Sequence, residues 1–365
     1  MQCSSEIEFD ANRIDSDAYL HIDTLVNNFK KICNVPTDLL YGEPSQEDIL
    51  ISVIIPTFQR RELLEEALIS VLRQECTDFG WECIVVDNTP LDTFGSTPAL
   101  EVIRRQKDKR VLYYHNRVNI GSGYNWNRGV ELAHGKWVCF LHDDDLLCKD
   151  ALQNIVRIIR RHKNVGSKPL GYIHARRVEF STAVNWKLVR RKSKKYCLNL
   201  TRTGALVNYY TETGMPSCGT TILKEAYMRV GGINYQFGPT ADAILGYQIM
   251  KEYSVLKSDA VLGAYRWSEN ETMNPLTLYK LVQADELFAQ YRVKLSLTAC
   301  LYGKLFGQHQ YNRNVEIKIH IDHMSHGNLI PADFNDIRKY KPVTAGIQVL
   351  YAVITWVYKL STVVI

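Results

Sequence analysis

The sequence lacks the patterns that mark several common classes of protein. Its nine cysteines form no Cys-x-x-Cys pair and no Cys/His cluster at the spacing of a zinc site. Neither end carries a run of lysine and arginine, and the net charge of +5 is small for 365 residues. These absences argue against a zinc domain, a disulfide framework and a nucleic-acid-binding protein. Scattered cysteines without a pairing pattern predict reduced thiols in a cytosolic protein.

The two ends of the chain differ in apolar content. The start, MQCSSEIEFDANRIDSD, has no apolar core of a signal peptide, so we expect no such signal. Residues 343–365, VTAGIQVLYAVITWVYKLSTVVI, carry a single charge at Lys359. This tail is long enough to span a bilayer, but its polar interruptions fit an interfacial helix about as well. A terminal helix buried on the core is the alternative. We expect peripheral contact with the inner face of a membrane.

From residue 50 onward, apolar β-branched runs alternate with segments of helical periodicity. The runs that predict strands are Ile51–Ile55, Glu82–Val86, Val111–Tyr114 and Lys136–Leu141. Helical spacing predicts a helix at Arg60–Gln74 and another after Asp150. Helices are also expected near Pro98–Gln106 and from about Gly123 to Ala133. This alternation predicts an α/β fold in which helices flank both faces of a mostly parallel, Rossmann-like sheet.

Polar residues directly follow three of the predicted strands. Pro56–Phe58 follow the first strand, Asp87 follows the second, and an acidic triplet, residues 143–145, follows the fourth. Ligands of parallel sheets bind at the carboxyl ends of strands, so we expect these residues along one edge. Adjacent carboxylates suit Mg²⁺ or Mn²⁺, which usually bind one or two carboxylates plus substrate phosphates. An exposed acidic loop that caps the next helix is the structural alternative.

Three blocks of the sequence together resemble a known enzyme family. ISVIIPTFQR, ECIVVDN and NIGSGYNWNRGVELAHGKWVCFLHDDDLL are similar, in this order and spacing, to the inverting glycosyltransferases of family 2, which have the GT-A fold. The resemblance covers about residues 50–265. It implies a nucleotide-sugar donor, with UDP-sugars expected first, and Mn²⁺ or Mg²⁺ on its diphosphate. It also implies a saccharide or lipid-linked saccharide acceptor, with the product belonging to polysaccharide biosynthesis.

The resemblance assigns the first strand ends to the nucleotide. Pro56, Thr57 and Phe58 would border the nucleobase, and Asp87 would accept hydrogen bonds from the base or the ribose. For Phe58 the structural alternative is core packing, and for Asp87 it is a turn or cap residue.

The helix block and the acidic triplet have further implied roles. Asn119 and Gly121 would begin the loop and helix beneath the nucleotide. Asp143, Asp144 and Asp145 match the family's DxD-type motif. Asp145 would be the main metal ligand, and Asp143 would contact the ribose and the metal. Without metal, like-charge repulsion should raise the pKa of at least one of these carboxyls.

The second half of the chain should supply the acceptor site and the catalytic base. GMPSCGTTI, residues 214–222, resembles the segment that lines the acceptor pocket. VGGINYQFGPTADAILGYQIM resembles the block with the catalytic carboxylate, which makes Asp242 the candidate base. The usual glutamate before it is replaced by Ala241. A helix-capping role for Asp242 is compatible with catalysis.

Two positions depart from the family pattern. Trp126 stands where many members have arginine, and Arg128 is the nearby residue that could compensate. His142 stands where many members have an acidic residue at the head of the triplet. It could donate to a phosphate or ribose, or have a purely structural role.

We therefore divide the chain into three regions. Residues 1–49 form an N-terminal extension, expected to be helical. Residues 50–268 form the GT-A domain, with a nucleotide-binding half at 50–150 and an acceptor half at 151–268. Residues 269–365 form a helical C-terminal region ending in the apolar tail. A basic stretch inside the acceptor half is either a solvated hairpin or a surface for anionic lipid or a pyrophosphate-linked acceptor; it contains Arg176, Arg177, Lys187, Arg190, Arg191, Lys192, Lys194 and Lys195.

Other functions fit the sequence less well. A Rossmann dehydrogenase would carry its Gly-x-Gly-x-x-Gly after the first strand, whereas Gly121 and Gly123 follow the third strand and no glycine occupies position 126. A phosphatase with a nucleophilic aspartate would have an aspartate where PTFQR stands. An inactive sugar-nucleotide-binding or scaffold protein at the membrane is the non-enzymatic alternative, because of Trp126 and the missing glutamate.

Overall fold

The computed structural model describes residues 14–75, 78–165, 167–187, 197–200, 218–267 and 275–292, together with isolated positions at 189 and after 293. The described strands are β1 (Thr37–Tyr41), β2 (Ile49–Thr57), β3 (Gly80–Asp87), β4 (Val111–Asn116), β5 (Trp137–Phe140), β6 (Leu146–Leu147), β7 (Asn164–Val165), β8 (Lys168–Phe180), β9 (Cys197–Leu200), β10 (Thr220–Leu223), β11 (Ser254–Arg266) and β12 (Val363–Val364).

The described α-helices are α1 (Ser16–Leu20), α2 (Glu62–Leu72), α3 (Pro98–Gln106), α4 (Ser122–Leu132), α5 (Ala151–Arg161), α6 (Lys224–Arg229), α7 (Ala241–Ile249) and α8 (Pro275–Arg292). Short 3-10 helices occupy Asn28–Lys31 and Gly238–Thr240. All of the strands and helices predicted between residues 51 and 150 are present, with boundaries that differ by a few residues.

The strands form one mixed sheet in the order β1-β4-β3-β2-β5-β10-β8-β11-β9-β12. The strands β4, β3, β2 and β5 run parallel to one another, as do β8 and β11. The strand β10 is antiparallel to both β5 and β8. The predicted mostly parallel sheet flanked by helices is therefore confirmed, and the carboxyl ends of β2, β3 and β5 meet at one edge.

The parallel half of the sheet is stabilised by burial on both faces. Nearly all side chains of β2, β3 and β4 are buried, as expected for strands covered by helices on both sides. On one face, α4 lies so close to β2 that a Cβ at Gly129 would collide with the side chain of Ile54. This close approach packs the second half of α4 directly on the middle of β2.

The N-terminal extension is helical only in part, because β1 pairs antiparallel with β4 and forms the edge of the sheet. Its short sequence, TDLLY, has weak strand character, and the strand depends on pairing with β4. The sheet runs through both halves of the 50–268 region, so the division at residue 150 stays a prediction. Within the described residues, no helix is long and apolar enough to cross a bilayer. The tail 343–365 lies mostly outside those residues.

Candidate functional site

The acidic loop after β5 is fixed by a residue from the end of β11. Asp145 is fully buried, and its Oδ1 accepts a hydrogen bond of 2.9 Å from the main-chain N–H of Arg266. The Nε of Arg266 donates to the carbonyl oxygen of Asp144 at 2.8 Å. The guanidinium of Arg266 also forms an ion pair with Glu66 on α2. A loop of adjacent carboxylates is thereby held in one conformation.

Three side chains of this loop can converge on one cation. A nitrogen of His142 and carboxylate oxygens of Asp144 and Asp145 lie within 4.8 Å of one another. The Oδ2 of Asp145 is buried and receives no hydrogen bond within the described structure. The Nδ1 of His142 is 3.5 Å from it. An unsatisfied buried carboxylate oxygen beside a nitrogen and a second carboxylate fits a divalent metal such as Mn²⁺.

Asp143, which we predicted as a second metal ligand and a ribose contact, has other partners in the structure. The Oγ1 of Thr57 donates to its Oδ2 at 2.7 Å. Burial raises the pKa of Asp143 to about 6, and the charge of Asp144 adds to this, whereas Thr57 and Arg60 oppose it. A raised pKa in the triplet agrees with the expectation, although burial contributes more to the shift than like-charge repulsion.

Arg60 is a site residue that the sequence analysis did not identify. Its Nη1 lies 2.7 Å from Asp144 Oδ2 and 3.8 Å from Asp143 Oδ1. Arg60 is the last residue of the PTFQR block, which begins in the last residues of β2, at the edge where the site lies. Nothing in the local sequence indicated that its partner would lie 84 positions away. Arg60 supplies positive charge to the triplet beside the first strand end.

His142 lies between the triplet and an aromatic wall. Its ring is 5.4 Å from that of Trp126, which also packs against Phe140 at 4.9 Å. Burial disfavours the charged ring, but the nearby carboxylates, Asp145 first and then Asp144 and Asp143, outweigh it and raise the pKa of His142. Trp126 is therefore a packing residue beneath the loop.

Arg128 does not replace the family arginine that is missing at position 126. Its Nη2 donates to the carbonyl oxygens of Ile32 at 2.6 Å and Val35 at 3.0 Å. Its Nη1 bonds Glu131 at 2.8 Å. Arg128 therefore attaches α4 to the N-terminal extension and leaves the acidic loop without that contact.

The residues predicted to contact the nucleotide lie at the ends of β2 and β3. Phe58 has an exposed fraction of 41%, which does not fit core packing. Pro56 and Thr57 form the end of β2. Asp87 is fully buried, with its Oδ2 accepting from the Tyr113 hydroxyl and its Oδ1 from the main-chain N–H of Thr89, both at 2.7 Å.

A network of amides supports the loop before α4. Asn116 donates to the side-chain oxygens of Asn88 and Asn125 at 2.9 Å each. The side chain of Asn119 accepts from the N–H of Gly121 at 2.9 Å. Gly121 has a φ of 77°, a conformation that favours glycine, and immediately precedes α4. The predicted pair Asn119 and Gly121 thus shapes the turn at the helix start.

The second half of the chain reaches the start of α4 and contributes the candidate base. The hydroxyl of Tyr235 accepts a hydrogen bond from the N–H of Gly123 and lies 3.0 Å from the Ser122 hydroxyl. Tyr235 belongs to the loop that leads into α7. This contact joins the block around Asp242 to the nucleotide-binding half.

Asp242 lies in the first turn of α7, whose N-cap residue is Thr240. Its Oδ1 accepts from the N–H of Ala243 at 2.8 Å, so it also satisfies a helix-terminal donor. Burial raises the pKa of Asp242 to about 6, although Ala243 and the charges of His142 and Arg177 favour the ionised form. A carboxyl with this pKa can accept a proton near neutral pH.

Of the predicted acceptor segment, residues 214–217 lie outside the described structure.

Known glycosyltransferases are similar to this chain in sequence and in fold. The family model "Glycosyl transferase family 2" matches residues 52–230. Abequosyltransferase RfbV of Salmonella typhimurium is 36% identical over 104 residues, which are 28% of this chain and 31% of the relative. The GalNAc(5)-diNAcBac-PP-undecaprenol β-1,3-glucosyltransferase of Campylobacter jejuni is 36% identical over 108 residues, 29% of this chain and 33% of that protein. These matches span about a third of each relative's length.

The overall fold has a structural relative as well. The mannosyltransferase PcManGT from Pyrobaculum calidifontis, solved in complex with GDP-Man and Mn²⁺, superposes with a TM-score of 0.51 at 14% identity. The superposition covers 97% of this chain and 94% of that one. At this identity the likeness concerns the fold alone, which is GT-A. The segment at residues 52–230, just under half of the chain, matches glycosyltransferase family 2.

Proposed function

We propose that the chain is a metal-dependent, inverting glycosyltransferase of the hexosyltransferase type. It would move a sugar from a nucleotide-sugar, a UDP-sugar first, to a saccharide or lipid-linked saccharide in polysaccharide biosynthesis. One observation carries the proposal: the cluster of His142, Asp144 and Asp145 at the end of β5 lies near Asp242, a carboxyl with a pKa of about 6. A cation site beside a proton acceptor is the combination that this transfer requires.

The proposed donor site lies at the ends of β2, β3 and β5. There Thr57 and Arg60 hold the acidic triplet, and Asn119 and Gly121 shape the start of α4. His142, Asp144 and Asp145 would hold the metal. When bound, Mn²⁺ or Mg²⁺ would offset the negative charge that develops on the departing diphosphate. The exposed ring of Phe58 would lie against the nucleobase.

Asp242 is the proposed general base. As the acceptor hydroxyl attacks the anomeric carbon, its proton moves to a carboxylate oxygen of Asp242. The bond between the anomeric carbon and the diphosphate oxygen breaks, and the nucleoside diphosphate leaves with that electron pair. Attack opposite the leaving group inverts the anomeric configuration. The charges of His142 and Arg177 favour the ionised, proton-accepting form of Asp242 before the reaction.

The names of related proteins support the substrate classes. One relative is named as a glucosyltransferase on a PP-undecaprenol-linked saccharide and another as an abequosyltransferase. The structural relative was solved with GDP-Man. The nucleotide test therefore needs a GDP arm beside the UDP arm. A lipid-linked acceptor would also account for membrane contact through the apolar sequence 343–365, which vesicle flotation of the purified chain tests.

Calorimetric titration of UDP, and of GDP in parallel, tests the donor site. We expect binding with Mn²⁺, little binding with EDTA, and at least about a tenfold loss of affinity in Asp145→Asn. Asp150→Asn, an exposed acidic residue just beyond the loop, is the matched control and should bind like the wild type. Release of nucleoside diphosphate from UDP-sugars separates an enzyme from an inactive binding protein. Absence of binding by either nucleotide would refute the proposed donor site.

A further inference from the structure

Arg177 on β8 stands out among the arginines near the reaction centre. Arg60 and Arg266 each form an ion pair with a carboxylate of the site region. Arg177 is half-buried, and in the described part of the chain no carboxylate forms an ion pair with it. Its guanidinium stacks on the ring of Tyr265, 4.0 Å from the centroid. Stacking holds the side chain in place and leaves its N–H donors in need of hydrogen-bond acceptors.

The position of Arg177 in the sheet brings it close to both catalytic elements. In the strand register, Arg177 is level with Gly263 of β11, and Gly263 is level with Leu147 of β6. β6 begins directly after Asp145. The helix that carries Asp242, α7, also packs against β8 and β11. Arg177 therefore lies among the acidic loop, the base helix and β11.

We propose that Arg177 binds an oxyanion of the acceptor, a carboxylate or a phosphate ester, so that the enzyme prefers an acidic acceptor to a neutral one. A half-buried guanidinium without a carboxylate partner is costly unless a ligand completes its hydrogen bonds. Its planar fork matches carboxylates and phosphates in two-point contacts. The inference rests on the proposed function, because it gives a substrate class to the same site.

The acceptor is favoured over the donor by the strand order. The donor residues follow β2, β3 and β5, whereas β8 lies two strands beyond β5, on the far side of β10. Two strand spacings amount to roughly 10 Å. Arg60 supplies positive charge on the donor side of the triplet. The charge of Arg177 also favours the ionised form of Asp242, so the two side chains are close enough to interact. The acceptor hydroxyl must lie beside Asp242, and Arg177 is therefore near the acceptor.

Ligand-observed NMR titration with small probes tests the proposal. The probes are methyl β-D-glucuronide, its neutral counterpart methyl β-D-glucoside, and glycerol 3-phosphate. We expect the wild type to bind at least one anion about tenfold more tightly than the glucoside. Preference for the glucuronide would assign a carboxylate, and preference for the phosphate ester would assign a phosphate. Equal binding of all three probes would overturn the proposal.

Variants of Arg177 connect this preference to the residue. Arg177→Met should abolish the preference, and Arg177→Lys, which keeps the charge but loses the fork, should retain part of it. Arg105→Met, which removes an exposed arginine of α3, should leave the preference unchanged. A preference that survives in Arg177→Met would overturn the assignment.

Titration of UDP with Mn²⁺ into the same variants separates this inference from the proposed function. If Arg177→Met weakens UDP binding and keeps the anion preference, Arg177 belongs to the donor site and the inference fails. If the wild type binds neither UDP nor GDP, the proposed function fails. The anion titration needs no nucleotide, so its result stands in either case.

Discussion

The main-chain N–H of Arg266 donates to Asp145 at 2.9 Å, although the two residues are 121 positions apart in the sequence. The same arginine donates from its side chain to the carbonyl oxygen of Asp144 and pairs with Glu66 on α2. One residue at the end of β11 thus joins the acidic loop to a helix of the nucleotide-binding half. The conformation of the candidate metal site depends on this long-range contact.

Replacing Arg266 with alanine should weaken metal binding. The main-chain contact to Asp145 persists, but the carbonyl oxygen of Asp144 loses its donor and Glu66 loses its ion pair. Residues that support metal ligands typically change affinity by about 10-fold to 100-fold, so we expect a loss near tenfold. Titration of Mn²⁺ followed by electron paramagnetic resonance measures it. Arg105→Ala is the control, and equal Mn²⁺ affinities in both variants would contradict a supporting role for Arg266.

His142 should behave as a metal ligand. His142→Ala removes the only nitrogen of the three-residue cluster, and we expect Mn²⁺ affinity to fall by about tenfold or more. His134 provides a matched control because it pairs with Glu82 at 3.0 Å, outside the cluster. If His142→Ala binds Mn²⁺ like His134→Ala but loses affinity for UDP, the histidine contacts the nucleotide and is not a ligand.

Asp242→Asn should lower the turnover rate and raise the thermal stability of the protein. Loss of the base should lower the turnover rate by about 10²-fold to 10⁴-fold. In the wild type the folded-state pKa is about 6, above the ordinary value of 3.8, so the ionised carboxylate destabilises the fold at neutral pH. The amide removes this cost, and we expect Tm at pH 7.5 to rise by about 2 °C.

The stability gain should depend on pH. Well below pH 3.8 the wild-type carboxyl is protonated in both folded and unfolded states, so the advantage of Asp242→Asn should disappear there. It should develop as the pH rises from 4 through 6. Scanning calorimetry across this range measures the difference. The kcat/KM of the wild type should rise through a pH near 6. A pH-independent difference in Tm, or full activity in the variant, would contradict the role of Asp242 as base.

The strands around the site could be predicted because their signal is local. The run at Ile51–Ile55 is apolar and β-branched and forms the middle of β2, and the spacing of leucines after Arg60 predicted α2. The positions of Thr57, Asp87 and the triplet followed from the rule for carboxyl ends of parallel strands. The resemblance to the family added the GT-A fold and the candidate base.

The contacts that hold the site together could not be predicted. Arg266 meets Asp145, and Tyr235 meets Gly123, only because distant segments pack against each other. Neither the hydrophobic periodicity nor a local motif of the sequence indicates which distant residues will pair. The edge strand β1 was missed for a similar reason, because its half-exposed residues form a strand only when paired with β4. Arg128, the residue that the sequence offered in place of an arginine at position 126, donates instead to carbonyl oxygens of the extension.

The N-terminal extension should contribute to catalysis through Tyr19. The hydroxyl of this buried residue donates to the carbonyl oxygen of Phe237 at 2.8 Å and lies 2.5 Å from the hydroxyl of Thr240, the N-cap of α7. Its ring also packs edge-on against Phe237 at 5.3 Å. Tyr19→Phe keeps the ring and removes the hydroxyl that contacts Phe237 and Thr240. Thr240 is two residues before Asp242 in the sequence.

We expect Tyr19→Phe to lower the free energy of unfolding by about 1 kcal/mol, because Thr240 still donates to the Phe237 carbonyl at 2.9 Å. Urea denaturation measures this change. The value of kcat should fall because Tyr19 contacts the turn before Asp242. The affinity for UDP and Mn²⁺ should stay unchanged, since the donor residues follow β2, β3 and β5 and, within the described residues, Tyr19 makes no hydrogen bond to them. Tyr291→Phe, which removes a hydrogen bond to Asp23 at 2.8 Å, controls for the loss of a tyrosine hydroxyl in the same region. An equal loss of kcat in both variants would reduce the role of Tyr19 to general stability.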